Sequence, residues 1–134
     1  MKKQNKYFNQ KVKTSAGVFD SKGEYSRYSQ LLLLQKAGKI KELKKQDKKT
    51  DKHILQEGFR RNGKKHQTIT YTADYSYFDL EKNKQVIEDY KSEFTRKGDK
   101  AYPIKKKLLL KDLSEDIIFR EVVKSKKGII INDL

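Results

Sequence analysis

Two adjacent hydrophobic segments carry acids where a buried strand ordinarily excludes them. Gln67 to Phe78 alternates aromatic and β-branched residues, with Ile69, Tyr71, Ala73, Tyr75 and Tyr77 on one side and Thr68, Thr70, Thr72, Asp74, Ser76 and Phe78 on the other. Such alternation predicts a strand. Asp is depleted in strands, because its carboxylate needs a charged or polar partner there. After a turn at Lys82-Asn83-Lys84, the segment Gln85 to Phe94 repeats the anomaly, with Val86-Ile87-Glu88-Asp89-Tyr90-Lys91 inside it. Strand alternation sends Ile87, Asp89 and Lys91 to one face and Val86, Glu88 and Tyr90 to the other, with Asp89 and Lys91 about 7 Å apart. Joined as a hairpin, the two strands bring Asp74 toward Asp89.

The remaining pattern surrounds this pair with helices. Tyr7 to Phe19 reads as a short hairpin or extended arm behind six polar residues that fray. Ser21, with Glu24 three residues on, is a capping-box signal, and Tyr25, Tyr28, Leu31, Leu32 and Gln35 lie near one helical stripe. Gly38 is placed to end that helix in a left-handed conformation. Ile40 to Lys52 is lysine-rich with thin apolar content, and His53 to Phe59 looks extended. Asn62-Gly63 is the strongest hairpin signal in the chain. The middle thus predicts a three-strand antiparallel meander over 53–59, 67–78 and 85–94. Thr95 to Lys100 reads as a basic loop. Pro103 opens a helix running to about Ser114, and the apolar run Asp116 to Val123 is a buried strand, with Ile129 to Ile131 a short added one. A strand entering after a helical crossover lies parallel to its neighbour, so the fold class is α+β with a mixed sheet and helices packed on it, in one domain spanning 1–134.

Charge narrows the partners. The chain has 134 residues and a net charge of +15, from 33 Lys and Arg against 18 Asp and Glu. A compact domain with that excess repels itself, and a polyanion is the usual partner, DNA or RNA before a membrane surface. No stretch approaches the roughly 18–20 apolar residues of a spanning helix. The absence of cysteine excludes disulfides, zinc ribbons and thiol nucleophiles. The N-terminus leads into no apolar signal core, which gives a cytoplasmic expectation.

Two carboxylates at close range repel, and a divalent cation such as Mg²⁺ relieves this by taking carboxylate oxygens, water and substrate phosphate as ligands. A neighbouring lysine can orient the attacking water or stabilise charge on a phosphorane-like transition state. That is a hydrolytic set for a phosphodiester. The competing explanation is an ion-pair ladder on a solvated sheet face, and pattern alone balances the two about evenly. Glu24 is a candidate third acid, though its capping role explains it without chemistry. Glu88 faces away from Asp89 and serves as a ligand only if a bulge reverses the strand. His53 and His66 lack metal-site spacing and read as surface or edge residues. Arg96, Lys97 and Lys100, with Lys105, Lys106 and Lys107, are candidate phosphate contacts.

Four segments together resemble a known family: Phe19-Asp20-Ser21-Lys22-Gly23-Glu24-Tyr25-Ser26-Arg27-Tyr28, Ala37-Gly38-Lys39-Ile40, Tyr71-Thr72-Ala73-Asp74-Tyr75, and Val86-Ile87-Glu88-Asp89-Tyr90-Lys91. They are similar to small phage-encoded nucleases of the PD-(D/E)XK type, near Holliday-junction resolvases and phage junction-cutting endonucleases, over roughly Tyr7 to Val122. The resemblance implies a restriction-endonuclease-like core of helix, three antiparallel strands, helix and strand. It implies Asp74, Asp89 and Glu24 as metal ligands, the Tyr90 carbonyl as a further one, and Lys91 as the motif lysine. Ala73 stands where the motif has proline, and Asp89 where glutamate is more frequent. The expected activity is Mg²⁺- or Mn²⁺-dependent cleavage of DNA, structure-selective on branched substrates, by a homodimer, because resolving a junction cuts two strands. The alternatives are a non-catalytic basic nucleic-acid-binding protein, and an RNA-binding protein stacking bases on Tyr71, Tyr75 and Tyr77.

Overall fold

Capping residues mark where the two main helices begin. The computed structural model describes residues 11–134, with the backbone alone for 95–97. Helix α1 (Lys22–Lys36) starts behind Ser21, whose Oγ accepts from the Glu24 N–H at 3.1 Å. The Glu24 carboxylate reaches back to the Asp20 N–H at 3.3 Å, one residue before the usual capping-box partner. Gly38 closes the helix at φ +77°, its N–H donating to the Gln35 carbonyl. Helix α3 (Ala101–Asp112) is capped instead by Asp99, whose Oδ1 accepts from the Ala101 and Tyr102 N–H groups.

Before α1, strands β1 (Val12–Thr14) and β2 (Gly17–Phe19) form the predicted hairpin, and Tyr7 to Gln10 lie outside the described residues. The central sheet contains β3 (Ile40–Lys45), β8 (Tyr75–Asp79), β9 (Lys84–Ser92), β10 (Ile117–Ser125) and β11 (Gly128–Asp133), in the order β11-β10-β9-β8-β3. Strands β3, β8 and β9 run antiparallel, and β10 returns parallel to β9 after α3, as the crossover argument requires. Adjacent residues separate the two core layers. Val86 joins Phe19, Leu31, Ile40, Tyr75 and Tyr77 under α1, while Ile87 joins Leu55, Tyr71, Tyr102, Leu109 and Phe119 under α3.

The structure corrects three expectations. The meander's first strand is β3, not His53 to Phe59. As an edge strand, β3 needs only Ile40 and Leu43 turned inward, and its lysines discourage further pairing. The segment Gln67 to Phe78 is not one strand but bends at residues 72–74. Its first part, β7 (Ile69–Tyr71), pairs with β4 (His53–Gln56) in a separate small sheet. Between β4 and β7, strands β5 (Phe59–Arg61) and β6 (Lys64–His66) form a hairpin across Asn62-Gly63, at φ +52° and +74° as that turn demands. Finally, β9 ends at Ser92, and the expected end of strand and basic loop form helix α2 (Glu93–Gly98), with Glu93 in its first turn and Gly98 at its end.

A buried polar chain ties the layers together. The Arg27 guanidinium of α1 donates to both oxygens of Glu88, at 2.9 and 2.7 Å, and Tyr77 Oη donates to the same carboxylate at 2.6 Å. Arg120 continues the chain to Tyr77 Oη, Asp79 and Asp133. Removing one partner of a buried pair leaves the other charge uncompensated, which typically costs about 3–5 kcal/mol. Glu88→Gln is therefore expected to lower unfolding free energy by that order in urea denaturation, whereas Lys48→Ala, which breaks only the exposed contact to Asp20 at 3.9 Å, leaves the midpoint unchanged.

Candidate active site

The bend that interrupts the long strand is what presents Asp74. Its backbone is held on both sides, the N–H donating to the Glu88 carbonyl at 3.0 Å and the carbonyl accepting from the Gln46 N–H at 2.9 Å. The β8–β9 register pairs Tyr75 with Glu88, and its continuation sets Asp74 opposite Asp89 on the α3 face. The Asp74 carboxylate accepts from the Tyr90 N–H at 2.7 Å, and Asp89 is its neighbour across the strand pair. Asp89 is buried; its Oδ2 accepts from Tyr71 Oη at 2.6 Å and has Lys91 Nζ at 3.6 Å. Lys91 also lies over the Tyr102 ring, 4.7 Å from its centroid.

Glu24 approaches from α1. Gly23 makes this possible, because a Cβ there would collide with the Tyr90 phenol. Burial, then the charges of Asp20 and Asp89, push the Glu24 carboxyl up to about 7. Burial and the charges of Asp89 and Glu24 hold Asp74 well above the usual carboxylate range, against the pull of the Tyr90 N–H. Burial disfavours the Lys91 ammonium, but the charges of Asp89, Asp74, Asp99 and Glu24 outweigh it and keep its pKa above the ordinary lysine value. Lys91 is thus a fixed cation, suited to stabilising negative charge rather than to taking up a proton.

A cleft of about 590 Å³ opens onto Asp74 and Glu24 and is rimmed by Lys11, Lys45, Lys48 and Lys49. Gln46 also lines it, and the Gln46 Oε1 is a buried acceptor without a donor among the described residues. Sequence reasoning missed Gln46 and the Tyr71 bond to Asp89. The bend reverses the expected facing of Tyr71, and no local signal for Gln46 precedes knowledge that β3 borders Asp74. The other predicted positions divide. Glu88 is committed to Arg27, so no bulge offers it to the site. Lys100 and Lys107 are exposed and Lys105 is half-buried. Lys106 is not available in the same way, being ion-paired to Glu121 at 3.1 Å and stacked on Tyr102. The side chains of Arg96 and Lys97 lie outside the described residues. Tyr71, Tyr75 and Tyr77 are all buried, which removes the base-stacking expectation. His53 sits in β4 opposite Tyr71, and His66 sits in the exposed β6.

Among the described residues, no group of three or more His, Cys, Asp or Glu side chains is arranged as a ready metal cage. What the site offers is two neighbouring carboxyls, a third acid raised by burial and by the charges of Asp20 and Asp89, and an orphan amide oxygen. These are hard oxygen donors in a number that suits Mg²⁺, which usually takes one or two carboxylates and keeps several waters. The sign of the pH dependence follows from Glu24. Its folded value lies above its unfolded one of 4.5, so the native state binds more protons between the two, and stability falls as pH rises from about 4.5 through 7. The metal-free melting temperature is expected to fall across that window, less so in Glu24→Gln, and added Mg²⁺ to raise it more at pH 8 than at pH 5. A melting curve indifferent to pH and Mg²⁺ would count against the acid cluster.

Comparison with curated proteins and with solved structures returns no significant match. One family model matches residues 4–128, nearly the whole chain. The chain therefore belongs to the family described as protein of unknown function (DUF1064).

Proposed function

We propose that this protein is a Mg²⁺- or Mn²⁺-dependent endodeoxyribonuclease with a restriction-endonuclease-like core, acting on branched DNA such as a Holliday junction in phage DNA processing. The observation that carries the reading is the placement of Asp74 opposite Asp89 across β8 and β9, with Lys91 Nζ 3.6 Å from Asp89, beside a cleft lined by four lysines. The strand order supports the fold assignment, since α1, three antiparallel strands, α3 and a parallel fourth strand follow the expected sequence.

In this reading Asp74 and Asp89 hold the cation, with Glu24 and the Tyr90 carbonyl completing the protein ligands. Such an ion, when bound, would supply an acidified water and a Lewis acid for the phosphoryl oxygen. The protein's own residues do the rest. Tyr71 fixes the Asp89 carboxylate through its hydroxyl, and the Tyr90 N–H fixes Asp74. Gln46 Oε1 is an acceptor available to orient a water in the cleft. Lys91, stacked on Tyr102, meets the charge that develops on the transferring phosphoryl group. The rim lysines seat the flanking phosphates, and action on DNA fits a cytoplasmic site. Among the described residues no helix is long and apolar enough to cross a membrane.

Cutting two strands of a junction calls for a two-fold dimer. The β11 edge supports one. Ile129, Ile130 and Ile131 are each about half exposed on a strand that pairs on one side only, without the lysines that guard β3. Ile130→Lys is expected to shift a dimeric species to monomer in sedimentation velocity.

The activity is tested on a four-way junction, a flap and linear duplex, with Mg²⁺ or EDTA. Asp74→Asn and Asp89→Asn should abolish cleavage, and Lys91→Ala should slow it by about 10²-fold or more. Because one cation among many contributes little to affinity, Lys91→Ala should bind DNA nearly as well as the parent. Cleavage that survives both aspartate substitutions contradicts the site. Binding without cleavage in either metal supports the non-catalytic alternative.

A further inference from the structure

The β5–β6 hairpin has features that packing within the fold does not explain. All six of its strand residues are exposed, and the two strands pair only with each other. Its register sets Arg60 opposite Lys65 and Arg61 opposite Lys64. Like charges directly across a strand pair destabilise it, yet none of these four cations has an ion-pair partner among the described residues. At its base the exposed Phe59 ring stacks on His66 at 4.7 Å, stiffening the two strands against each other.

The hairpin is joined directly to the acid site. Strands β4 and β7 continue it inward, and Tyr71 at the end of β7 is the residue that donates to Asp89. Between the two pairs, Gly58 donates to Thr68 Oγ1 at 3.0 Å, and a Cβ on Gly58 would meet the His66 carbonyl at 2.7 Å. Only glycine allows the chains to approach so closely at this junction. A groove beside it is lined by Lys52, Arg60, Lys65, Thr68 and Thr70, with Glu57 the single acid among its lining residues, so cations outnumber acids from the hairpin toward the site.

The geometry points to the β5–β6 hairpin as a DNA-binding arm that enters the major groove of a duplex next to the scissile phosphate. The choice of DNA rests on the nuclease reading; the arm itself rests on its exposure and its uncompensated charge. A two-stranded ribbon fits the B-form major groove, about 12 Å wide, but not the deep and narrow one of A-form RNA. Phosphates along both groove walls supply the negative charge that the cross-strand cations lack.

The test is binding to a linear duplex with Ca²⁺ in place of Mg²⁺, followed by fluorescence anisotropy at several salt concentrations. Each phosphate contact contributes about 0.9 to the slope of log affinity against log salt. The fourfold variant Arg60→Ala/Arg61→Ala/Lys64→Ala/Lys65→Ala should lose about 2–4 of that slope and at least about tenfold in affinity at low salt. Arg60→Lys/Arg61→Lys should keep the slope. Lys65→Glu, a single exposed change, should weaken binding in the same direction should the fourfold variant fold poorly. Unchanged affinity and slope, no binding by the parent, or an equal arm-dependent loss on duplex RNA would each overturn the proposal. Arm-dependent DNA binding without cleavage in any metal would uphold the arm and remove the nuclease reading instead.

Discussion

The buried pair of Arg27 and Glu88 governs the geometry of everything around it. Glu88 and Asp89 are consecutive acids on β9, and a strand must send them to opposite faces. With Glu88 bonded to Arg27 Nε and Nη2 and to Tyr77, the α1 layer claims it, and Asp89 is left to the α3 layer beside Asp74 and Lys91. A slip of one residue would exchange the two acids and strand Arg27 under α1 without a counter-ion. Buried ion pairs are seldom large net stabilisers, because desolvation offsets their attraction. In this protein the pair acts through specificity, fixing the register of β9 and the seat of α1 together.

That seat has a consequence at the other end of the same helix. With Arg27 anchored, the first turn of α1 rests on Tyr90 through Gly23, and Glu24 is carried toward the two aspartates. Three acids then share a partly desolvated region with one lysine. Burial first, and then the charges of neighbouring acids, push Asp74 and Glu24 above the ordinary carboxylate range.

Much of this was readable from residue order, and the misses have physical reasons. Strand alternation alone selected Asp89 over Glu88, and Ser21, Gly38 and Asn62-Gly63 set their helix and turn boundaries through local chemistry. The parallel return of β10 followed from the helical crossover. The long strand was misread because its alternation continues unbroken through the bend, while the hydrogen bonds that bend it, from Asp74 to Glu88 and Gln46, are long-range. β3 was obscured because an edge strand needs little apolar surface. The roles of Arg27, Tyr71 and Gln46 depend on which strands are neighbours, which no local pattern encodes.

The central claim is that Asp74 and Asp89 together hold a divalent cation. Anomalous diffraction from crystals of the intact protein soaked in Mn²⁺ tests it most directly. A peak is expected within coordination distance, roughly 2.0–2.2 Å, of oxygens from both aspartates, and it should be lost in Asp89→Asn. Crystals in which Mn²⁺ binds elsewhere, or in which no peak lies between the two carboxyls, would contradict it.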